Sequence, residues 1–543
     1  MKSLAALISI VAFACVLNAG ETLYNGIVLP NVWPPRRTLA ELRSGEPMEV
    51  PYLRNPPSVI PIDVGRQLFV DDFLIEQTTL TRRFHKCELY AGNPVLRPDK
   101  RWEKYDPPPA SAMAFSDGCF YDPRDKLFKI WYRPSHGSGV CYATSEDGIH
   151  WKKPSLDVQP GSNLTILSGQ RDSCVVWLDL DTTDPQQRFK LFQFHRDCWR
   201  ASVHASPDGM HWSAAKWCGA SGDRSTMFYN PFRKVWVFSL RDAMYPGPWN
   251  YKAVPPKIIG RSRRYWETND FLSGANWKDY RGASDAGPGE PALWTASDKL
   301  DSPDVGPNDA PAELYNLDAV GYESLMLGVF SVLHSATRGP DQPKINDSML
   351  GFSRDGFHWH RPFREAVISV SNKPDTWNYG NVQSVGGCCL IVGDKLYFYA
   401  SGRNATTDTT GLAVLRRDGF ASMEAGEREG TLTTRPVRFS GKHLFVNAKL
   451  GELRVEVLDR DGNVILPFSA PLRADKTLQP VKWKGARDLS ALSGKPVKFR
   501  FHLCNGALYA FWVSPETSGA SHGYVAAGGP GFTGPADTTG RTR

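Results

Sequence analysis

One seven-residue pattern returns three times along the chain: Ser145-Glu146-Asp147-Gly148-Ile149-His150-Trp151, Ser206-Pro207-Asp208-Gly209-Met210-His211-Trp212 and Ser353-Arg354-Asp355-Gly356-Phe357-His358-Trp359. A long-period repeat constrains a fold more than any single motif, because each unit has to bury its apolar face against the next. Weaker copies end at Trp277 (from Asn269) and at Phe420 (Arg417-Asp418-Gly419-Phe420). Five units at intervals of about 60 to 80 residues leave room for four strands and their loops in each. Asp-Gly supplies the positive φ of a tight turn, the Ser and Asp oxygens accept from nearby amides, and the Trp buries between sheets. These aspartates therefore read as turn formers and not as catalysts.

Strand-like runs precede each copy. In the first unit they are 118–121, 127–132 and 139–145; the second repeats the order with 174–179, 188–195 and 201–206. The third has 226–230, 235–241 and 257–264, the fourth 317–322, 325–333 and 347–353, and the fifth 387–392, 396–401 and 411–417. The expected fold is all-β: a five-bladed β-propeller over 63–425 followed by a β-sandwich over 426–514. Residues 21–62 are Pro-rich and read as a surface wrap, and 67–75 as a strand completing the last blade. Loop insertions rich in Gly, Pro and Asp are expected over 242–255 and 278–312. The tail, 515–543, has Gly, Ser, Thr and Pro without apolar periodicity and is expected to be disordered.

Lys2, an apolar run over 4–17 and the small residues Ala19 and Gly20 have the order of a signal peptide over 1–20, so a secreted or periplasmic location is expected. The run is too short for a membrane span. Of ten cysteines, Cys15 would leave with the signal, and the odd remainder does not imply a disulfide framework. No CxxC or His-Glu-x-x-His pattern argues for zinc; no cofactor is expected, and structural calcium stays open. A net charge of +7 from scattered Lys and Arg does not suggest nucleic acid.

In a propeller the innermost strands all begin near one channel mouth, so residues ahead of them converge. Asp117 stands before the first, Arg171-Asp172 before the second, Asp223-Arg224 before the third and Glu313 before the fourth; the fifth offers Asn378, Asn381 and Gln383. Glycosidic cleavage needs one carboxylic acid to protonate the leaving oxygen and one carboxylate as nucleophile or base, and a third can orient them. Asp117, Asp172, Asp223 and Glu313 are the catalytic candidates. Arg171, Arg224 and Arg241 either neutralise these acids or grip an anionic sugar substituent. His195, Tyr322, Glu323 and Asn381 complete the expected substrate-binding set.

On these residues the chain resembles the five-bladed superfamily that contains glycoside hydrolase families 32 and 43. The resemblance implies an Asp in blade one as nucleophile or base, an Asp in blade two as transition-state stabiliser and a Glu in blade three as acid. Asp117 fits the first place and Asp172 the second, where Arg171-Asp172-Ser173 is similar to an Arg-Asp-Pro element with Ser in place of Pro. Ser116-Asp117-Gly118 departs from the family 32 Asn-Asp-Pro, and blade three offers Asp223 where Glu is expected, so either Asp223 or Glu313 is the acid. The function expected is a secreted glycoside hydrolase acting on a poly- or oligosaccharide. The alternative is a non-catalytic carbohydrate-binding propeller. A sialidase-like reading, suggested by the likeness of the repeat to an Asp-box, lacks a clear Tyr and Glu pair and a sixth unit.

Overall fold

A computed structural model of the protein describes residues 20–104, 109–135, 139–166, 171–245, 260–301, 312–335, 345–404, 406–449 and 451–540. Apart from two short helices, Leu39–Arg43 and Pro51–Arg54, and three single 3-10 turns, its regular structure is β. No helix among the described residues is long and apolar enough to cross a membrane.

Five sets of mainly antiparallel strands follow one another in chain order, the fourth and fifth joined into one sheet by the parallel bridge Asn346–Asn381. The first blade is Cys119–Asp122, Leu127–Tyr132, Val140–Ser145 and Leu164–Ile166; the second is Arg171–Leu178, Phe189–His195, Arg200–Ser206 and Lys216–Ala220. The third is Thr226–Asn230, Val235–Ala243, Arg261–Thr268 and Ala292–Ala296, so part of the expected 278–312 insertion is this blade's outermost strand. Much of the other insertion, 246–255, lies outside the described residues, as do 302–311. The fourth blade is Glu313–Glu323, Leu325–Ser335 and Ile345–Ser353, with Ile368 bridging its outer edge at Ser348. In the fifth, Asn381–Gln383 and Leu390–Val392 both pair with Lys395–Arg403, which pairs with Thr407–Arg416.

The ring closes through the inner strands. Val176 donates its amide to Asp117 O (2.8 Å), Thr226 its hydroxyl to Leu317 O (2.5 Å), and Gly386 its amide to Phe115 O (3.2 Å). Between the second and third blades Trp177 meets Trp236 edge-on at 6.2 Å. Packed aromatic and aliphatic side chains between blades form one continuous core.

The expected closure by 67–75 is corrected. Gln67–Leu68 pairs with Phe511 and Ala510 in the sandwich, and the last blade instead receives Glu88–Leu89 and Ala110–Ser111 against Thr407–Arg416. The sandwich thus recruits the N-terminal segment: Ile75–Thr78 joins Gly430–Thr434 and Thr81–Phe84 joins Ala421–Ala425. Its core is separate and is rich in Phe, Leu and Val from both sheets. The physical reason is alternation: 67–75 is too apolar on both faces to be an exposed outermost strand, and Phe69, Val70, Phe73 and Leu74 are all fully buried.

The expected disorder of the tail is also corrected. Residues 515–540 are folded, and Tyr524–Val525 pairs with Tyr322 and Glu323. The signal-peptide reading falls on residues 1–19, outside those described.

The repeat does what its chemistry dictates. In each of the three full copies Asp Oδ1 accepts two backbone amides and the Ser hydroxyl accepts the Gly amide, as at Asp208, where Met210 N lies at 2.8 Å and His211 N at 2.9 Å. The turn also ties blades together: Trp131 Nε1 donates to Gly209 O (2.8 Å) and Tyr399 Oη to Gly148 O (2.6 Å). These turns join third to fourth strands, so they lie at the end of the channel opposite the inner-strand starts.

Candidate active site at the channel mouth

All five inner strands begin irregularly. Phe115 and Arg224, ahead of their inner strands, have φ of 54° and 62°, and Ser384, directly after Asn381–Gln383, has 65°, the left-handed region that non-glycine residues seldom occupy. The second and fourth blades have bulges instead, between Arg171 and Cys174 and between Leu314 and Asn316. Such irregularities re-aim side chains, and here they turn them toward the axis.

Asp117 is fully buried, and Arg171 grips both its oxygens (Nη1–Oδ1 3.0 Å, Nη2–Oδ2 2.6 Å) while donating Nε to Gly139 O. Burial pushes the Asp117 carboxyl up, and Arg171, Arg133 and Arg224 offset only part of this. Asp172 keeps slight exposure. Arg196 donates to its Oδ2, and its buried Oδ1 has no hydrogen-bond partner among the described residues. Burial works to raise the Asp172 carboxyl, but Arg224, Arg133 and Arg196 together hold it below the usual range.

Asp223 has the most exposed side chain of the four candidates, at 14%, with Arg241 Nη1 3.4 Å from Oδ1 and no hydrogen bond to that oxygen among the described residues. Glu313 Oε2 accepts from Arg261 twice, from the backbone amide (3.1 Å) and from Nη1 (2.7 Å). The strand starts therefore bring these four acids to one end of the ring, each against an arginine.

Asn381 opens the fifth blade's inner strand between Asn346 and Arg403. His195 is turned to its own blade's outer strands, with Nε2 2.7 Å from Ser202 Oγ and its ring 4.8 Å from Trp217. Tyr322 and Glu323 do not belong to the mouth, which corrects the sequence expectation. They end the strand that Glu313 begins, roughly 30 Å away at a strand's rise per residue. Tyr322 Oη donates to Asp418 Oδ1 at 2.6 Å, and Glu323 is sealed among Arg66, Arg417 and Ser521.

Several mouth residues escaped the sequence reading. Arg133, Arg196 and Arg403 stand where second strands end, the position Arg241 holds in blade three. The signal was present: aligning the five units at their second strands shows a basic residue there in each, His334 in the fourth. Asp318 is buried, accepts from Asn316 Nδ2 (2.7 Å) and Val385 N (3.0 Å), and is pushed up by burial.

No family model matches the sequence, and no curated protein matches it. Among solved structures, an N-acetylgalactosamine deacetylase from F. plautii, crystallised with blood group B trisaccharide, is similar over 63% of this chain and 96% of its own, at 13% identity and a TM-score of 0.40. A structure from work on the GH130 family of mannoside phosphorylases, containing glycoside hydrolases that target β-1,2 mannosidic linkages in Candida mannan, matches over 64% and 96% at 14% identity and a TM-score of 0.41. An endo-arabinase from Bacteroides thetaiotaomicron matches over 55% and 93% at 12% identity and a TM-score of 0.35.

Proposed function

We propose that this protein is an exported glycoside hydrolase whose reaction takes place at the channel mouth. The observation that carries the reading is the convergence of Asp172, Asp223 and Glu313, from three consecutive blades, at one rim with part of each side chain still open to solvent. Hydrolysis of a glycosidic bond requires a proton donor and a carboxylate base or nucleophile held apart by a fixed frame. Asp172, held ionised by its arginines, suits the base or stabilising role. Asp223, which has the fewest donors on its oxygens among the described residues, suits the acid; Glu313, fixed by Arg261, orients the pair. Asp117, with both oxygens taken by Arg171, supports the site from beneath. The apolar leader ahead of residue 20 supports export.

A screen of oligosaccharides and aryl glycosides tests the reading. Asp172→Asn is expected to lower turnover at least about a hundredfold on a cleaved substrate while leaving its affinity within a few-fold. Asp223→Asn should lose much more on glycosides with poor leaving groups than on activated aryl glycosides, which need no proton donor. The arginine opposite every one of the four acids favours a second reading, a carbohydrate-binding propeller without turnover. Binding of glycans with no cleavage across the screen would establish that reading and overturn the first.

A further inference from the structure

Arg224 belongs to blade three but reaches all the others. Its guanidinium lies over the Phe115 ring of blade one at 3.5 Å and within 5.6 Å of the Tyr315 ring of blade four; Nη2 donates to Ser384 Oγ of blade five, and its charge acts on Asp172 of blade two. It is 99% buried, yet Nε and Nη1 have no hydrogen-bond partner among the described residues. Leaving two donors of a buried cation unmet is costly, and so is the left-handed backbone from which the side chain springs. Both costs fall on one residue at the centre of the ring.

Further cations crowd the same place. Arg263 donates to Arg224 O (2.7 Å) and stands behind it, and its own Nε is also unmet among the described residues. Burial, with Arg224 and Arg241 nearby, pushes Arg263 down to about 9; burial, with Arg403 and Arg171 nearby, pushes Arg133 down to about 10, although Asp172 and Asp408 work the other way. Burial and neighbouring guanidiniums thus leave Arg263 and Arg133 incompletely compensated by the acids around them. Close by, Asp172 Oδ1 and Asn316 Oδ1 are buried acceptors without partners among the described residues. Unmet donors on one side and unmet acceptors on the other match a group that carries an oxyanion next to a hydroxyl.

We propose that Arg224 is the anion-recognising residue of the mouth, taking the carboxylate or sulfate ester of an acidic sugar while Asp172 and Asn316 accept from its neighbouring hydroxyls. This names the substrate class for the site proposed above and rests on that site being the one that binds sugar. It differs from the catalytic reading in what would refute it.

Calorimetric titration with glucuronic acid, galacturonic acid, glucose 6-sulfate, glucose and inorganic sulfate tests it, on the full chain and on Arg224→Met and Arg224→Lys. The unaltered protein is expected to prefer an acidic over the neutral sugar by at least about tenfold, a preference that Arg224→Met abolishes and Arg224→Lys reduces. A uronic acid preferred over the sulfate ester would identify a carboxylate site, and the reverse a sulfate site. If Arg224→Met does not fold, competition on the unaltered protein decides: inorganic sulfate should displace the acidic sugar and leave the neutral one in place. Equal affinity for acidic and neutral sugars, or a preference that survives Arg224→Met, would overturn the inference. Cleavage of neutral glycans without any acidic preference would sink this inference alone, whereas tight binding of acidic sugars that are never cleaved would sink the hydrolase reading alone.

Discussion

Arg354 occupies the variable second position of the third repeat copy, and its side chain leaves the turn altogether. It forms a two-point pair with buried Asp71, Nε to Oδ2 and Nη2 to Oδ1 both at 2.8 Å, and donates again to Leu68 O. The pair joins blade four to the N-terminal segment of the sandwich. Burial works to raise the Asp71 carboxyl, but Arg354 outweighs it and holds the group below the usual carboxylate range. A depressed folded pKa contributes stability that is present above the unfolded value of about 3.9 and is lost as pH falls through the folded one. Asp71→Asn leaves the Arg354 charge buried without its partner, so it is expected to lower stability at pH 7 by about 3 kcal/mol or more. Denaturant midpoints at pH 7 and pH 3 should show the gap between variant and parent shrinking below about pH 4, where the unfolded parent takes up a proton at Asp71 that the folded one resists. A gap unchanged across that range would mean the pair contributes nothing through its charge.

At the scale of the strand and its turn, the repeat works through backbone that only glycine adopts easily. Gly209 has φ +81°, and a Cβ there would lie 2.6 Å from Trp131 Cζ2, the ring whose Nε1 donates to the Gly209 carbonyl. Gly209→Ala must therefore strain the turn and displace a fully buried tryptophan of the neighbouring blade, at an expected cost of about 2 kcal/mol or more by chemical denaturation. Turnover per folded molecule should be retained, because these turns face away from the mouth. The blade order and these turns were legible because both are local: periodicity, a Ser-x-Asp-Gly turn and a Trp suffice. The placement of Asp172, Asp223 and Glu313 at the starts of inner strands was legible for the same reason. Arg241, which faces Asp223, was named with them, whereas Arg196 and Arg133 were passed over, since they end second strands and only register brings them inward. Tyr322 and Glu323 were misplaced by a strand's length, because the fourth inner strand begins at Glu313 and carries them to the far end.

For the molecule as a whole, the tail closes the end of the channel opposite the mouth. Tyr121 donates its amide to Ala527 O (2.9 Å), Ala526 to Gly321 O (3.1 Å), Ala527 to Cys389 O (3.0 Å) and Ile391 to Gly528 O (2.9 Å), so one short segment engages blades one, four and five; Tyr524 Oη adds blade three at Pro231 O. Its composition looked structureless because it is held by backbone hydrogen bonds in a confined space and needs small residues, not an apolar period. At Gly529 a Cβ would fall 1.8 Å from Ile391 O. The same segment completes a buried charge cluster between the two domains: Asp537 faces Arg417 at 3.3 Å, and Ser521 donates to Glu323 at 2.7 Å. Removing the tail would leave Arg66 and Arg417 facing Glu323 and Asp418 with water admitted from below, and would expose the edges of three inner strands. Truncation after Ser514 is therefore expected to destabilise propeller and sandwich together, lowering the denaturant midpoint and making the joint between them accessible to limited proteolysis. Replacing only Asp537 by Asn should produce a smaller loss of the same kind, because one member of the cluster is neutralised while the backbone closure stays. If the truncated chain unfolds at the parent's midpoint, the tail is a covering and not a closure of the ring.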